Sequence, residues 1–131
     1  MTGVQTCALP ILARLAYIFS LERGISCPRE LIYCTALLHD IGRAEQYTVG
    51  TPHDEAGARI AETILSDLDF SSEEKEAILS AIREHRSSSD EVPVLSQLIY
   101  EADKKSRNCF LCVAEPECYW SPQKKNMTIQ Y

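Results

Sequence analysis

The sequence has no apolar run long enough to span a membrane, and it has little positive charge: 13 Lys and Arg residues stand against 19 Asp and Glu, for a formal net charge of −6. The first absence excludes a transmembrane helix. The second argues against a nucleic-acid backbone as the main partner, because no basic face could be large. The segment 7–11 is too short for a secretory signal and lacks its basic flank. We therefore expect a cytoplasmic protein, and its oligomeric state is left open.

The sequence also lacks repeats and strand-rich segments, and its apolar residues recur at helical spacing. This pattern predicts an all-α fold: a compact bundle of about five helices in one domain, followed by a short irregular tail that contains cysteine. Gly24 and Gly42 are the expected ends of the first two helices. The expected helices cover about 12–21, 28–40, 54–68, 72–85 and 94–114, which makes 12–114 the folded domain and 115–131 the tail.

Few histidines are present, and all three fall on apolar helix faces. His39 and Asp40 end an apolar segment, His53 precedes Ala56 and Ile60, and His85 follows Ile78 and Ile82 at spacings of seven and three. On the last helix, Asp103 lies in an apolar stripe with Ile99. Buried imidazoles and carboxylates need a partner, and a divalent metal ion is a common one. Two simpler interpretations stay open: each histidine is a hydrogen-bonded core residue, and Asp103 pairs with Arg107 one turn later.

The order His-Asp, His, His, Asp on successive helices resembles the HD superfamily of metal-dependent phosphohydrolases, in particular small bacterial HD-domain proteins. The resemblance covers about residues 12–108, with matching segments at 37–43, 51–56, 81–85 and 99–104. It implies that His39, Asp40 and Asp103 hold a first metal ion. His53 and His85 hold a second, bridged to the first by Asp40. Iron, manganese or zinc would suit these ligands.

The activity that this resemblance implies is hydrolysis of a phosphate ester or anhydride, in a nucleotide or another small phosphorylated metabolite. His39 and Asp40 would be the catalytic residues. Phosphate also needs fixed positive charge, and Arg43, Lys104 and Arg107 are the candidates for binding it, although each could equally be a surface charge. Two alternatives remain: a regulatory module that binds metal and nucleotide without turnover, and a di-iron oxygenase with the same fold.

One family ligand is absent. HD proteins carry a histidine on the first helix, and the corresponding position here is Ala8. It lies in residues 1–11, MTGVQTCALPI, a stretch that resembles a translated sequencing adapter; we therefore expect an artefact there and an impaired enzyme. Pro10 also disfavours helical geometry at Leu9, so the helix is expected to begin after this stretch.

Six cysteines without a secretion signal do not suggest disulfides. Cys109 and Cys112 are spaced by one helical turn, and Cys118 follows beyond the turn at Pro116. The three thiols suggest a second metal site, although a complete site needs a fourth ligand. The alternative is a reduced cluster that packs around Trp120.

Overall fold

The computed structural model describes residues 2–84 and 92–131. In these ranges the secondary structure is entirely helical, so the all-α prediction is confirmed. Two 3₁₀ turns follow the last α-helix, at Cys109–Leu111 and Glu115–Glu117. The α-helices are α1 Thr2–Glu22, α2 Arg29–Leu38, α3 Arg43–Val49, α4 His53–Leu65, α5 Ser72–Glu84 and α6 Val94–Lys105.

The helices pack around one apolar core. Helix α1 packs on α2 and α6, α5 packs on α4, α2 and α6, and α3 lies against α4. The apolar helix faces point into this core: Ile78, Ile82 and Ile99, predicted on such faces, are fully buried, and so is Ile32. None of the helices in the described ranges is long and apolar enough to cross a membrane.

The start of α5 follows directly from the sequence. Ser71 Oγ accepts a hydrogen bond from the backbone N–H of Glu74 at 3.1 Å, and Glu74 Oε1 accepts one from the backbone N–H of Ser71 at 2.9 Å. This reciprocal pair satisfies two donors that would otherwise lack a partner at the helix start. Helix α5 therefore begins at Ser72, as the sequence pattern predicts.

Three predicted helix boundaries are wrong. Helix α1 continues through Pro10 to Thr2, because proline removes only one backbone hydrogen bond and the following turns are fixed by buried residues such as Leu12 and Phe19. At the other end of the chain, α6 ends at Lys105 rather than near residue 114. Phe110, inside the range predicted for this helix, lies in a 3₁₀ turn and is partly exposed.

The third error concerns Gly42, which does not act as a left-handed helix end. Its φ is −81°, and it directly precedes α3, a helix that the sequence pattern did not predict. Glycine is needed here for space: a Cβ on Gly42 would lie 2.2 Å from the backbone oxygen of His53 and 2.4 Å from the backbone nitrogen of Gly57. The turn that follows α2 therefore packs backbone to backbone against α4.

Candidate metal centre

His39 is fixed by the end of helix α2. Its side chain is only 1% exposed, and its Nδ1 lies 2.7 Å from the carbonyl oxygen of Ala36. A carbonyl oxygen can only accept a hydrogen bond, so Nδ1 is the protonated nitrogen. In the neutral ring, Nε2 then carries the lone pair, which is the arrangement found in histidines that bind a metal.

Two carboxylates face this nitrogen from different parts of the chain. His39 Nε2 lies 3.5 Å from Asp40 Oδ2 and 3.7 Å from Asp103 Oδ1. Asp40 is the next residue in the turn, whereas Asp103 comes from the last turn of α6. The packing of α2 against α6 thus brings together the three residues that the family resemblance assigns to the first metal ion.

Asp40 also faces the second imidazole. Its Oδ1 lies 3.7 Å from His53 Nε2, and the His53 side chain is fully buried at the first residue of α4. His53 Nδ1 is 2.7 Å from the side-chain oxygen of Gln46 on α3, which holds the ring with Nε2 toward Asp40. The close approach of Gly42 to α4 brings Asp40 and His53 together, so Asp40 stands between the two histidines.

The electrostatics of the centre favour a positive charge between the carboxylates. Burial opposes protonation of His39, but Asp103 and Asp40 outweigh it, and the pKa of His39 lies above its ordinary value. Burial also opposes ionisation of Asp103. Contacts with His39, Arg107 and Lys104 nevertheless hold the pKa of Asp103 well below its usual range.

The predicted phosphate-binding side chains border this centre. Arg43 Nε is 3.3 Å from Asp40 Oδ1, while Lys104 Nζ and an Arg107 guanidinium nitrogen lie 3.3 and 3.5 Å from Asp103 Oδ2. Asp103 therefore faces His39 with one oxygen and two cations with the other. Asp103 thus forms the ion pair with Arg107 and also lies beside His39. The interpretation of Asp103 as an ion-pair partner and its interpretation as a metal ligand therefore do not exclude each other.

The chemistry of the donors fits a divalent metal ion. Ligands that bind one ion tetrahedrally at about 2.0–2.2 Å lie roughly 3.3–3.6 Å from each other. The distances of 3.5 and 3.7 Å between imidazole nitrogen and carboxylate oxygen are close to this spacing. Among the described residues, however, no group of three or more His, Cys, Asp or Glu side chains is arranged so that it could hold a metal ion. His85, the remaining predicted ligand, lies outside the described residues.

Gln46 is a residue of the candidate centre that the sequence did not reveal. It lies on α3, which was not predicted, seven residues before the histidine that it holds. Gly50, with a φ of +81°, ends α3 as a left-handed cap. A glycine followed by Thr51 and Pro52 was the signal that a short helix ended there.

The three tail cysteines do not belong to any group of three or more described His, Cys, Asp or Glu residues that could hold a metal ion. Cys109 is half-buried and Cys112 and Cys118 are exposed, all as free thiols. The backbone N–H of Trp120 donates a hydrogen bond to Cys118 Sγ at 3.5 Å. The second metal site at these cysteines therefore stays a prediction.

Comparison with known proteins identifies the family of this chain. The HD domain family model matches residues 11–108, and the chain belongs to the HD-domain family. This family includes metal-dependent phosphohydrolases, and its members typically bind divalent metals. The chain is also 42% identical over 119 residues to an uncharacterized protein of Clostridium beijerinckii, an alignment that covers 91% of this chain and 74% of that protein. No solved structure matches the chain.

Proposed function

We propose that this protein is a metal-dependent hydrolase of phosphate esters or anhydrides, acting on a nucleotide or another small phosphorylated metabolite. One observation carries the proposal: each carboxylate of the centre lies beside both an imidazole and a basic side chain. Asp40 lies beside His39 and Arg43. Asp103 lies beside His39 and Lys104. A metal-binding pocket and a cationic rim therefore share Asp40 and Asp103. Phosphoryl transfer needs both parts side by side.

The proposed ligands are His39, Asp40, Asp103 and His53, together with His85 from the family resemblance. Iron, manganese or zinc, as one ion or two, would supply the Lewis acidity that activates water near neutral pH. The protein's own contribution is to hold its ligands in place. Ala36 and Gln46 fix the orientation of the two imidazoles, and the surrounding core excludes bulk water from His39 and His53.

The basic side chains at the rim would bind the phosphoryl oxygens. Arg43, Lys104 and Arg107 have side chains 31%, 42% and 45% exposed, so each faces solvent as well as a carboxylate. An anion arriving from solution would meet these charges first. Arginine can bind two phosphoryl oxygens at once, whereas lysine acts as a point charge.

Hydrolysis of an aryl phosphate with added manganese or ferrous iron tests the proposal. We expect His39→Gln and Asp103→Asn to lose both bound metal and turnover. Lys104→Ala should raise KM about 10-fold through loss of a charge-assisted phosphate contact. Lys105→Ala is the matched control, because Lys105 pairs with Glu101 at 2.9 Å, away from the centre, and should leave KM unchanged.

The same assay should be run on Ala8→His, so that a missing first ligand is not mistaken for a missing activity. Metal binding without turnover in both proteins would reject the hydrolase and favour a regulatory module. Oxygen consumption with ferrous iron, in place of phosphate release, would favour the oxygenase.

A further inference from the structure

The chain after α6 folds back onto the end of that helix. The side-chain amide of Asn126 donates hydrogen bonds to the carbonyl oxygens of Lys104 and Arg107, at 2.7 and 2.9 Å. Carbonyl groups at a helix end have no partner within the helix, so this contact completes the end of α6. A further contact lies within the tail itself: the ammonium group of Lys125 is 2.8 Å from the carboxylate of Glu115, and the Lys125 side chain is only 12% exposed.

This folding places Trp120 against two of the rim cations. The Arg107 guanidinium carbon lies 4.5 Å from the centre of the Trp120 ring, and Lys104 Nζ lies 5.9 Å from it. Lys104 Nζ is also 5.3 Å from the ring centre of Tyr100. All three distances are within the range in which a cation is attracted to an aromatic face.

The same two cations lie 3.3 and 3.5 Å from Asp103 Oδ2. They are therefore held between the tail on one side and the candidate metal centre on the other. Free lysine and arginine side chains sample many rotamers and lose that freedom when they bind an anion. Contacts that hold them in place before binding reduce this loss.

We propose that Trp120 is a positioning residue, and that the tail completes a phosphate-binding subsite formed by Lys104 and Arg107. The aromatic face holds both cations beside Asp103, so that they meet an anion in a fixed arrangement. This inference rests on the proposed function, because it names the element that prepares that site for a phosphoryl group. It also gives the tail a role that does not depend on its cysteines.

Tryptophan fluorescence provides a test that needs no turnover, since Trp120 is the only tryptophan of the chain. The full chain is titrated with inorganic phosphate, with sodium chloride of equal ionic strength as the reference. Phosphate should give a saturable change in emission that chloride does not give. Arg107→Ala should abolish or strongly weaken the change, whereas Lys124→Ala, which removes an exposed charge from the same tail, should leave it intact.

Steady-state hydrolysis of an aryl phosphate separates positioning from a purely structural role. Trp120→Leu should raise KM about 3- to 10-fold, the change expected from losing the exposed contacts of the ring with Arg107 and Lys104, with kcat within about twofold of wild type. Trp120→Phe, which keeps an aromatic face, should restore most of the loss. A structural defect alone would instead lower kcat through loss of active protein, with KM unchanged.

The two proposals fail in different ways. If the protein hydrolyses aryl phosphate and Trp120→Leu leaves KM unchanged, the positioning role is wrong and the hydrolase stands. If phosphate changes the emission through Arg107 but neither this chain nor its Ala8→His variant hydrolyses aryl phosphate, the subsite stands and the hydrolase is wrong. No saturable emission change in wild-type protein would overturn the subsite itself.

Discussion

The substitution Gly42→Ala tests how the candidate centre is assembled. The new Cβ would lie 2.2 Å from the backbone oxygen of His53 and 2.4 Å from the backbone nitrogen of Gly57. Both contacts are to backbone, so no side chain can rotate away to relieve them. Restoring an ordinary contact of 3.4 Å requires the turn and the start of α4 to separate by about 1.2 Å.

This separation should affect stability and metal binding together. Overpacking of a close-packed site costs about 1–3 kcal/mol, and a backbone clash belongs at the upper end of that range. At roughly 4 °C per kcal/mol, the midpoint of thermal unfolding should fall by about 10 °C. Asp40 and His53, which face each other at 3.7 Å across this contact, should move apart, and manganese affinity should fall about 10-fold or more.

Gly24→Ala is the matched control. Gly24 has a φ of +64° and no atom within 4 Å of an added Cβ, so alanine there meets only backbone strain. That strain should cost about 1–2 kcal/mol and leave metal affinity unchanged. Urea unfolding and manganese titration of both variants give the comparison. If Gly42→Ala matches Gly24→Ala in stability and binds manganese like the wild type, the close approach does not assemble the centre.

Three further predictions concern other parts of the molecule. Gln46→Ala should weaken manganese binding about 10- to 100-fold because His53 loses the acceptor that orients it, while Tyr47→Ala, on an exposed part of the same helix, should not. Glu101→Gln should lower the free energy of unfolding at pH 7 by about 1 kcal/mol after allowance for solvent screening. The hydrogen bond from Arg23 lowers the pKa of Glu101 from 4.5 to about 2, so this stabilisation is present above pH 4.5 and is lost toward pH 2. Urea unfolding should therefore show the stabilities of Glu101→Gln and the unmodified protein converging toward pH 2. Ala8→His should raise manganese occupancy and phosphate release together, and equal values for both proteins would show that position 8 takes no part in the site.

Features that depend on local chemistry were predictable from the sequence. The apolar stripes located α2, α4, α5 and α6 because a helix buries residues at a fixed spacing. The start of α5 at Ser72 was also predicted, and the capping contacts between Ser71 and Glu74 explain it because both lie within four residues. The family resemblance predicted which residues would be metal ligands, and the structure brings four of them, His39, Asp40, His53 and Asp103, together. The resemblance could not supply the distances between them.

Features that depend on contacts between distant segments were decided only by the tertiary structure. In the sequence, Gly42 resembles the glycine that ends a helix. In the structure, glycine is needed there because α4 lies against its backbone and leaves no room for a side chain. Gln46 has no recognisable signal of its own, since it acts only when α3 packs beside His53. Trp120 follows Asp103 by seventeen residues and reaches the same site only because the tail folds back on α6. In each case the deciding atom belongs to another segment of the chain, whose position is set by packing of the whole core rather than by local sequence.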